Sequence, residues 1–212
     1  MEQPALLKLI VFDCDGVMFD SRKANCMYYN HLLSHFGLPP MSSTEEDYAH
    51  MHNVSDSIRH IFRHYETPTL ADVHIFRNKG DYSPFLPYME IEPDLVTFLE
   101  KTKNKYHLAI STNRTNTLIP LLQSYNLEGY FGKIMTAANV ARPKPAPDAL
   151  LEILDHFKCQ PQEAIYIGDS ILDEQHAAAC NVPLIAFKNS ALQAQYYVQC
   201  FMSILQLPPF QD

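Results

Sequence analysis

Residues 6–21, LLKLIVFDCDGVMFDS, constrain the fold of this chain more than any other segment. Residues 9–12 form an unbroken apolar run that is too short for a typical helix and rich in strand formers. They therefore predict a fully buried central strand. Asp13 and Asp15 follow at once, and Gly16 then lets the backbone turn. Two neighbouring carboxylates repel each other and resist desolvation, so they belong either on a solvated loop or around a cation.

The charge and composition of the chain exclude several classes of function. Its formal net charge of -8 argues against broad binding of nucleic acid or anionic membranes. It leaves room for a small anionic ligand at a local cationic patch. No apolar run approaches the roughly 18 residues that span a bilayer, and the amino terminus lacks the basic segment of a signal peptide. The five cysteines have no CxxC spacing, which is typical of free thiols in a reducing compartment. We therefore expect a cytoplasmic protein that binds neither nucleic acid nor membrane.

The pattern of elements changes once along the chain. Residues 22–80 are predicted to be helical throughout, with no strand, and an extended linker is expected at residues 83–87. Short apolar strands then alternate with helices: HLAIST, GKIMT, AIYIG and VPLIAF. A last helix is predicted at residues 191–205. Such alternation predicts a three-layer, Rossmann-like α/β core with a mainly parallel sheet covered on both faces.

The helical block interrupts this core, because the first predicted strand precedes the block and all the others follow it. We expect a discontinuous core of residues 1–18 and 84–212. Residues 19–83 would form an inserted helical cap, and hinges are expected near residues 17–20 and 81–87.

Polar residues cluster where the predicted strands end. The clusters are Asp13 and Asp15; Ser111, Thr112 and Asn113; Lys144; and Asp169, Ser170 and Asp173. In a parallel sheet these ends meet at one edge, where ligand sites form. Carboxylates are the hard oxygen ligands that Mg²⁺ prefers. A cation and Lys144 could neutralise phosphate oxygens while one carboxylate attacks phosphorus.

Four stretches carry a family resemblance: FDCDGVMFDS, ISTNRT, RPKPAPDAL and YIGDSILDEQHAAACNVP. In this order they resemble haloacid dehalogenase (HAD) superfamily hydrolases. The similarity is to the phosphoglycolate phosphatase/β-phosphoglucomutase-like subfamily, which carries a helical C1-type cap after the first strand. The resemblance implies an Mg²⁺-dependent phosphatase that hydrolyses the phosphate monoester of a small metabolite through an aspartyl phosphate. The active protein is expected to be a monomer or homodimer.

The resemblance also implies roles for the three aspartates. Asp13 resembles the nucleophile that becomes phosphorylated. Asp15 resembles the general acid for the leaving alcohol, which later acts as the base that activates water. The metal ligands implied are Asp13, the backbone carbonyl of Asp15, and Asp169.

The other clusters are expected to hold phosphate or to support the site. Thr112 resembles the hydroxyl that binds the transferring phosphoryl group, with help from the backbone amide of Asn113. Lys144 resembles the lysine that orients the phosphate and the nucleophile. Asp173 and Ser170 are expected to support Lys144 or the waters of the metal.

Several of these assignments have simpler alternatives. Ser111 could replace Thr112, although its side chain should point to the other face of the strand. Asn113 could be a helix cap, Lys144 a solvated loop residue, and Asp173 a charge on a helix surface.

Two other functions remain open. Dehalogenases of the superfamily typically lack the second aspartate, so Asp15 argues against that branch. The β-phosphoglucomutase branch typically has a histidine ten residues after the acid/base aspartate, where this chain has Asn25. Hydrolysis is therefore favoured over a sugar-phosphate mutase. The other open possibility is a non-catalytic, protein-binding member of the fold. The segment MHNVSDSIR makes Arg59 a candidate substrate contact from the cap, but the sequence does not identify the substrate.

Overall fold

The computed structural model describes residues 6–52 and 54–211. Its contacts divide the chain into two compact units. The first, the core unit, comprises Met1–Asp20 and Ile91–Asp212, and the second, the helical unit, comprises Ser21–Glu90. Among the described residues, no helix has both the length and the apolar character needed to cross a membrane.

Eight strands are present in the described part of the chain. They are β1 Leu9–Phe12, β2 Phe19–Asp20, β3 Glu90–Ile91, β4 His107–Thr112, β5 Lys133–Thr136, β6 Ala164–Gly168, β7 Leu184–Phe187 and β8 Tyr196–Val198. Six of them form one sheet in the order β5-β4-β1-β6-β7-β8, and every pair in this sheet is parallel. The remaining two, β2 and β3, form a two-stranded sheet.

The α-helices follow the predicted pattern closely up to the carboxyl-terminal segment. They are α1 Arg22–His35, α2 Ser43–Met51, α3 Val54–Ile61, α4 Leu70–Lys79, α5 Leu95–Thr102, α6 Leu118–Ser124, α7 Asp148–Phe157, α8 Ile171–Ala179 and α9 Phe201–Ile204. The first four lie in the helical unit and the others in the core unit. The predicted α/β, Rossmann-like fold is therefore confirmed.

Strand β1 lies in the middle of the sheet and is buried on both faces. Leu9 and Val11 pack in one apolar cluster with residues of α7, whereas Phe12 makes edge-to-face contact with Phe98 of α5. This alternation is the two-residue period of a strand. Because helices cover both faces, the three layers are complete. Phe12 pairs in register with Ile110 of β4, which brings the ends of β1 and β4 to the same edge.

The carboxyl-terminal segment differs from the prediction. We expected one helix over residues 191–205, but the structure has β8 and the short α9 there. Tyr196, Tyr197 and Val198 are aromatic and β-branched, which favours a strand. They find a partner in β7, where Ile185 pairs with Tyr196. Three residues are too few to show a strand pattern in the sequence.

The linker predicted as extended at residues 83–87 is instead a 3₁₀ helix, Ser83–Tyr88. Pro84 stands in its first turn, where the fixed backbone angle of proline suits a helix start. Phe85 then packs edge-to-face against Tyr28 of α1. This segment is therefore an ordered part of the helical unit.

The helical unit has its own apolar core. Residues from all four helices contribute to it, among them Leu32, Ala49, Ile58 and Val73. Reciprocal hydrogen bonds cap the start of two of the helices, through Ser42 with Glu45 and Thr69 with Asp72.

Candidate active site

The loop after β1 places Asp13 at the buried edge of the sheet, and Asp13 is only 7% exposed there. Its backbone N–H donates to the carbonyl of Ile167 on β6 at 2.9 Å. Gly16 turns the loop with φ of +77°, and a Cβ atom there would lie 1.9 Å from Oδ2 of Asp169. Only glycine therefore allows the β1 loop to approach this carboxylate so closely.

Lys144 is the buried cation of the site. Its Nζ lies 2.7 Å from Oδ1 of Asp13 and 2.6 Å from Oδ1 of Asp173. It also donates to the hydroxyl of Tyr166 at 3.1 Å. The residue is 7% exposed, so the alternative of a solvated loop lysine is wrong. One ammonium group thus joins the loop of β1 to the segment after β6.

The backbone of Lys144 is held by the side chain of Asn113. The amide of Asn113 donates to the carbonyl of Lys144 at 3.1 Å and accepts from its N–H at 3.0 Å. The structure does not support the alternative of a helix cap, because α6 begins at Leu118 with Thr117 before it. Asn113 therefore fixes the position of the lysine-bearing loop.

Ser111 and Thr112 point to different surroundings. Oγ of Ser111 lies 2.9 Å from Nε2 of His176, and Nδ1 of the same ring lies 2.7 Å from the carbonyl of Ala146. Burial, followed by the charge of Lys144, lowers the pKa of His176 to about 4. The ring is therefore neutral, with Nδ1–H as donor and Nε2 as acceptor for Ser111. Thr112 accepts from the N–H of Arg114 at 3.2 Å, so Thr112 and not Ser111 is the hydroxyl left for a ligand.

Asp173 is fully buried, so the alternative of a helix-surface charge is wrong. Ser170 precedes α8 as its cap and donates from Oγ to Oδ2 of Asp173 at 2.6 Å. Gly168 leaves room for this carboxylate, because a Cβ there would lie 2.3 Å from Cβ of Asp173. Burial alone would raise the pKa of Asp173, but Lys144 and these donors lower it. Asp173 is accordingly a fixed negative charge beside the lysine.

An acidic cluster stands at the centre of the site. Oxygen atoms of Asp13, Asp169 and Asp173 lie within 4.8 Å of one another. Burial, then the charge of Asp173, raises the pKa of Asp13 to about 7. Burial, then the charge of Asp13, raises the pKa of Asp169 to about 8.

The oxygens of Asp13 fit a cation. Although Lys144 is close to Oδ1 of Asp13, no donor among the described residues meets this buried oxygen at a hydrogen-bonding angle. A buried acceptor in that state is costly. Three crowded carboxylates with one lysine are suited to a divalent cation, which would neutralise them. The cluster includes Asp173 in addition to the Asp13 and Asp169 that were predicted.

The carboxylate of Asp15 pairs with Arg114, a residue to which the sequence analysis assigned no role. Nε and Nη2 of Arg114 donate to its two carboxylate oxygens, each at 2.7 Å. Arg114 stands in the quoted segment ISTNRT, directly after the predicted phosphate-binding residues. Tyr166 and His176 were also missed.

Arg59 lies in the helical unit, on α3, and pairs there with Asp56 at 2.8 Å. Its side chain is 68% exposed. Within the same predicted cap segment, Asn53 and the side chain of Met51 lie outside the described residues. Asn25 accepts a hydrogen bond from the hydroxyl of Tyr82 at 2.8 Å.

Comparison with known proteins agrees with this architecture. A crystal structure of a HAD-superfamily hydrolase, subfamily IA, variant 1, from Geobacter sulfurreducens has a TM-score of 0.83 and 32% identity. The match covers 94% of this chain and 95% of that chain. A phosphoglycolate phosphatase of Aquifex aeolicus is 29% identical over 175 residues, which is 79% of this chain and 78% of the relative. A pyrophosphatase, PpaX, of Bacillus pumilus is 26% identical over 170 residues, 79% of this chain and 76% of the relative.

The family itself is shown by its sequence profile. The profile of haloacid dehalogenase-like hydrolases matches residues 10–187, which is most of the chain. Together with these comparisons, the parallel α/β core and the acidic site at its strand ends identify a hydrolase. The chain belongs to the haloacid dehalogenase-like hydrolase family, and the predicted resemblance is confirmed.

Proposed function

We propose that the protein is an Mg²⁺-dependent phosphatase that hydrolyses the phosphate monoester of a small metabolite. The observation that carries the proposal is the position of Asp13. Its carboxylate lies against Lys144, beside Asp169, at the edge of the sheet where the strands end. A carboxylate held by a fixed cation is suited to nucleophilic attack on phosphorus.

The reaction would proceed in two steps. In the first, Oδ of Asp13 forms a bond to phosphorus and the bond to the leaving oxygen breaks, while Asp15 gives a proton to that oxygen. In the second, Asp15 takes a proton from a water molecule that attacks the phosphorus. The acyl phosphate bond then breaks, which releases inorganic phosphate and restores Asp13.

Other residues would bind and orient the phosphoryl group. Lys144 supplies positive charge, and Asp173 with Tyr166 fixes its direction. Thr112 offers a hydroxyl and Asn113 a backbone N–H at the end of β4.

Asp13, Asp169 and the backbone carbonyl of Asp15 would hold Mg²⁺. When bound, the ion neutralises the buried carboxylates and the charge on the phosphoryl oxygens. The raised pKa values of Asp13 and Asp169 support this assignment, because a cation is what would favour both ionised forms at neutral pH.

We propose that the helical unit acts as the cap that selects the substrate, with Arg59 as a candidate contact. Relatives named phosphoglycolate phosphatase and pyrophosphatase support a small phosphorylated substrate. We also propose, as the sequence analysis predicts, that the protein acts in the cytoplasm as a monomer or homodimer. Asn25, in place of the histidine typical of the mutases, favours hydrolysis over phosphoryl transfer to a sugar.

A panel of phosphorylated metabolites tests the proposal. We expect phosphate release from at least one small monoester with Mg²⁺, and none with EDTA. The Asp13→Asn variant should be inactive on the same substrate. No release by the wild-type protein from any member of the panel, or conversion of glucose 1-phosphate to glucose 6-phosphate faster than to glucose, would contradict it.

A further inference from the structure

The ion pair between Arg114 and Asp15 joins two distant parts of the chain. The guanidinium donates through Nε to one oxygen of Asp15 and through Nη2 to the other. Both distances are 2.7 Å, in the planar two-point geometry that arginine alone provides. The pair connects the loop after β1 to the loop after β4.

Arg114 is itself held in place. Its side chain is 8% exposed, whereas that of Asp15 is 37% exposed. Nη1 donates to Oγ1 of Thr117 at 3.1 Å, and the backbone N–H donates to Thr112 at 3.2 Å. Its carbonyl accepts from the N–H of Ala137 at 3.0 Å. The arginine is therefore the rigid member of the pair, and the aspartate is the member that faces solvent.

We propose that Arg114 is a positioning residue that fixes the carboxylate of Asp15 for proton transfer. This inference rests on the proposed function, because it assumes that Asp15 exchanges protons with the leaving oxygen and with water. Two hydrogen bonds to one planar group fix both the rotamer of Asp15 and the plane of its carboxylate. Without them, the partly exposed side chain can rotate out of reach of the attacking water.

The two steps of the reaction separate this role from a direct role in binding phosphate. 4-Nitrophenolate leaves without needing a proton, so phosphorylation of Asp13 by 4-nitrophenyl phosphate does not require Asp15. Hydrolysis of the aspartyl phosphate does require Asp15 as base. A residue that acts only through Asp15 therefore slows the second step and spares the first.

The experiment uses 4-nitrophenyl phosphate and rapid mixing with Mg²⁺ present. For Arg114→Gln we expect a burst of one nitrophenolate per active site, with a rate within about threefold of wild type. Steady turnover should then fall by about 100-fold, the typical loss when a general base is misplaced. Arg114→Lys keeps the charge but loses the two-point geometry, so it should show the same phenotype in a milder form. It also carries the test if Arg114→Gln does not fold.

A double-variant cycle distinguishes a role that acts through Asp15 from a merely structural role of Arg114. In the Asp15→Asn background, adding Arg114→Gln should change the burst rate and the slow turnover by no more than about threefold. Lys133→Gln removes an ion pair with Glu152 away from the site and should leave both steps unchanged.

Three results would overturn the inference. The first is a burst that Arg114→Gln slows more than about tenfold, and the second is a steady turnover that Arg114→Gln leaves unchanged. The third is a further loss of about tenfold in burst rate or turnover when Arg114→Gln is added to Asp15→Asn. Any one of them is sufficient. The first and third would place Arg114 on the phosphoryl group itself. A wild-type protein that releases no nitrophenolate would instead contradict the proposed function.

Discussion

Replacing Lys144 by methionine should destabilise the protein strongly, because it removes the positive charge that pairs with two buried carboxylates. In the described structure Nζ lies 2.7 Å from Asp13 and 2.6 Å from Asp173. The side chains of the three residues are 4%, 9% and 0% exposed. Breaking a buried ion pair by removing one partner costs about 3–5 kcal/mol. We expect a loss of this size in the free energy of unfolding at about pH 8, measured in EDTA so that no cation compensates.

The loss should depend on pH in a definite direction. Lys144 lowers the pKa values of both Asp13 and Asp173, against the effect of their burial. Without the lysine, burial and mutual repulsion raise both values above those of the unfolded chain. Folding then disfavours ionisation, so the destabilisation grows as pH rises through these raised values. At about pH 5.5 the carboxyls can be protonated in the folded state, and the loss should be smaller.

Urea denaturation followed by circular dichroism measures the effect. The matched control is Lys133→Met, which removes a partly exposed pair with Glu152 and should cost no more than about 1 kcal/mol. The reasoning is refuted if Lys144→Met costs as little as this control at about pH 8, or if its cost is the same at both pH values.

Three further outcomes are expected. In EDTA the melting temperature should fall as pH rises from about 6.5 to 8, because folding raises the pKa values of Asp13 and Asp169 to about 7 and 8. The opposite contribution of His176, whose pKa folding lowers to about 4, grows only up to about pH 6.5. The gain from Mg²⁺ in thermal denaturation should be larger at about pH 8 than at about pH 5.5. Gly16→Ala should lower the free energy of unfolding by about 1–2 kcal/mol, because residue 16 has a left-handed backbone. Because the new Cβ would displace Asp169, the variant should also lower kcat by about 100-fold in a steady-state phosphatase assay. Arg59→Ala should raise KM for the natural substrate by about tenfold and leave KM for 4-nitrophenyl phosphate unchanged.

Each of these outcomes has a clear opposite. A melting temperature in EDTA that is constant or rises over this pH range would show that the acidic cluster does not resist ionisation. A Gly16→Ala variant with wild-type kcat would show that the β1 loop tolerates a side chain against Asp169. Equal changes of KM for both substrates would remove Arg59 from substrate selection.

The fold was predictable wherever the sequence pattern was long or strongly apolar. Strand β1 is an unbroken apolar run, and α1 and α4 end at or just before glycines that the sequence marks, Gly37 and Gly80. The segment at residues 191–205 was not predictable in this way, because β8 is a strand only by pairing with β7. The 3₁₀ helix at Ser83–Tyr88 was missed since its two prolines also suit an extended linker.

The site was predictable as a set of strand ends, but not as a network of contacts. The sequence placed Asp13, Lys144 and Asp173 at one edge because parallel strands share their direction. It did not show that Tyr166 contacts Lys144 or that Arg114 pairs with Asp15, since a side chain's partner depends on tertiary packing. Some signal was available: a tyrosine in a buried strand needs a partner for its hydroxyl, and Arg114 follows a strand end beside predicted carboxylates.

The most direct test of the account is whether Asp13 becomes phosphorylated. The Asp15→Asn variant, mixed with 4-nitrophenyl phosphate and Mg²⁺, should retain one phosphoryl group per chain in intact-mass spectrometry. Peptide mapping should place that group on Asp13, and the Asp13→Asn/Asp15→Asn variant should carry none. A wild-type protein that hydrolyses the substrate while neither the wild type nor Asp15→Asn ever carries phosphate on Asp13 would contradict the nucleophilic role that the structure supports.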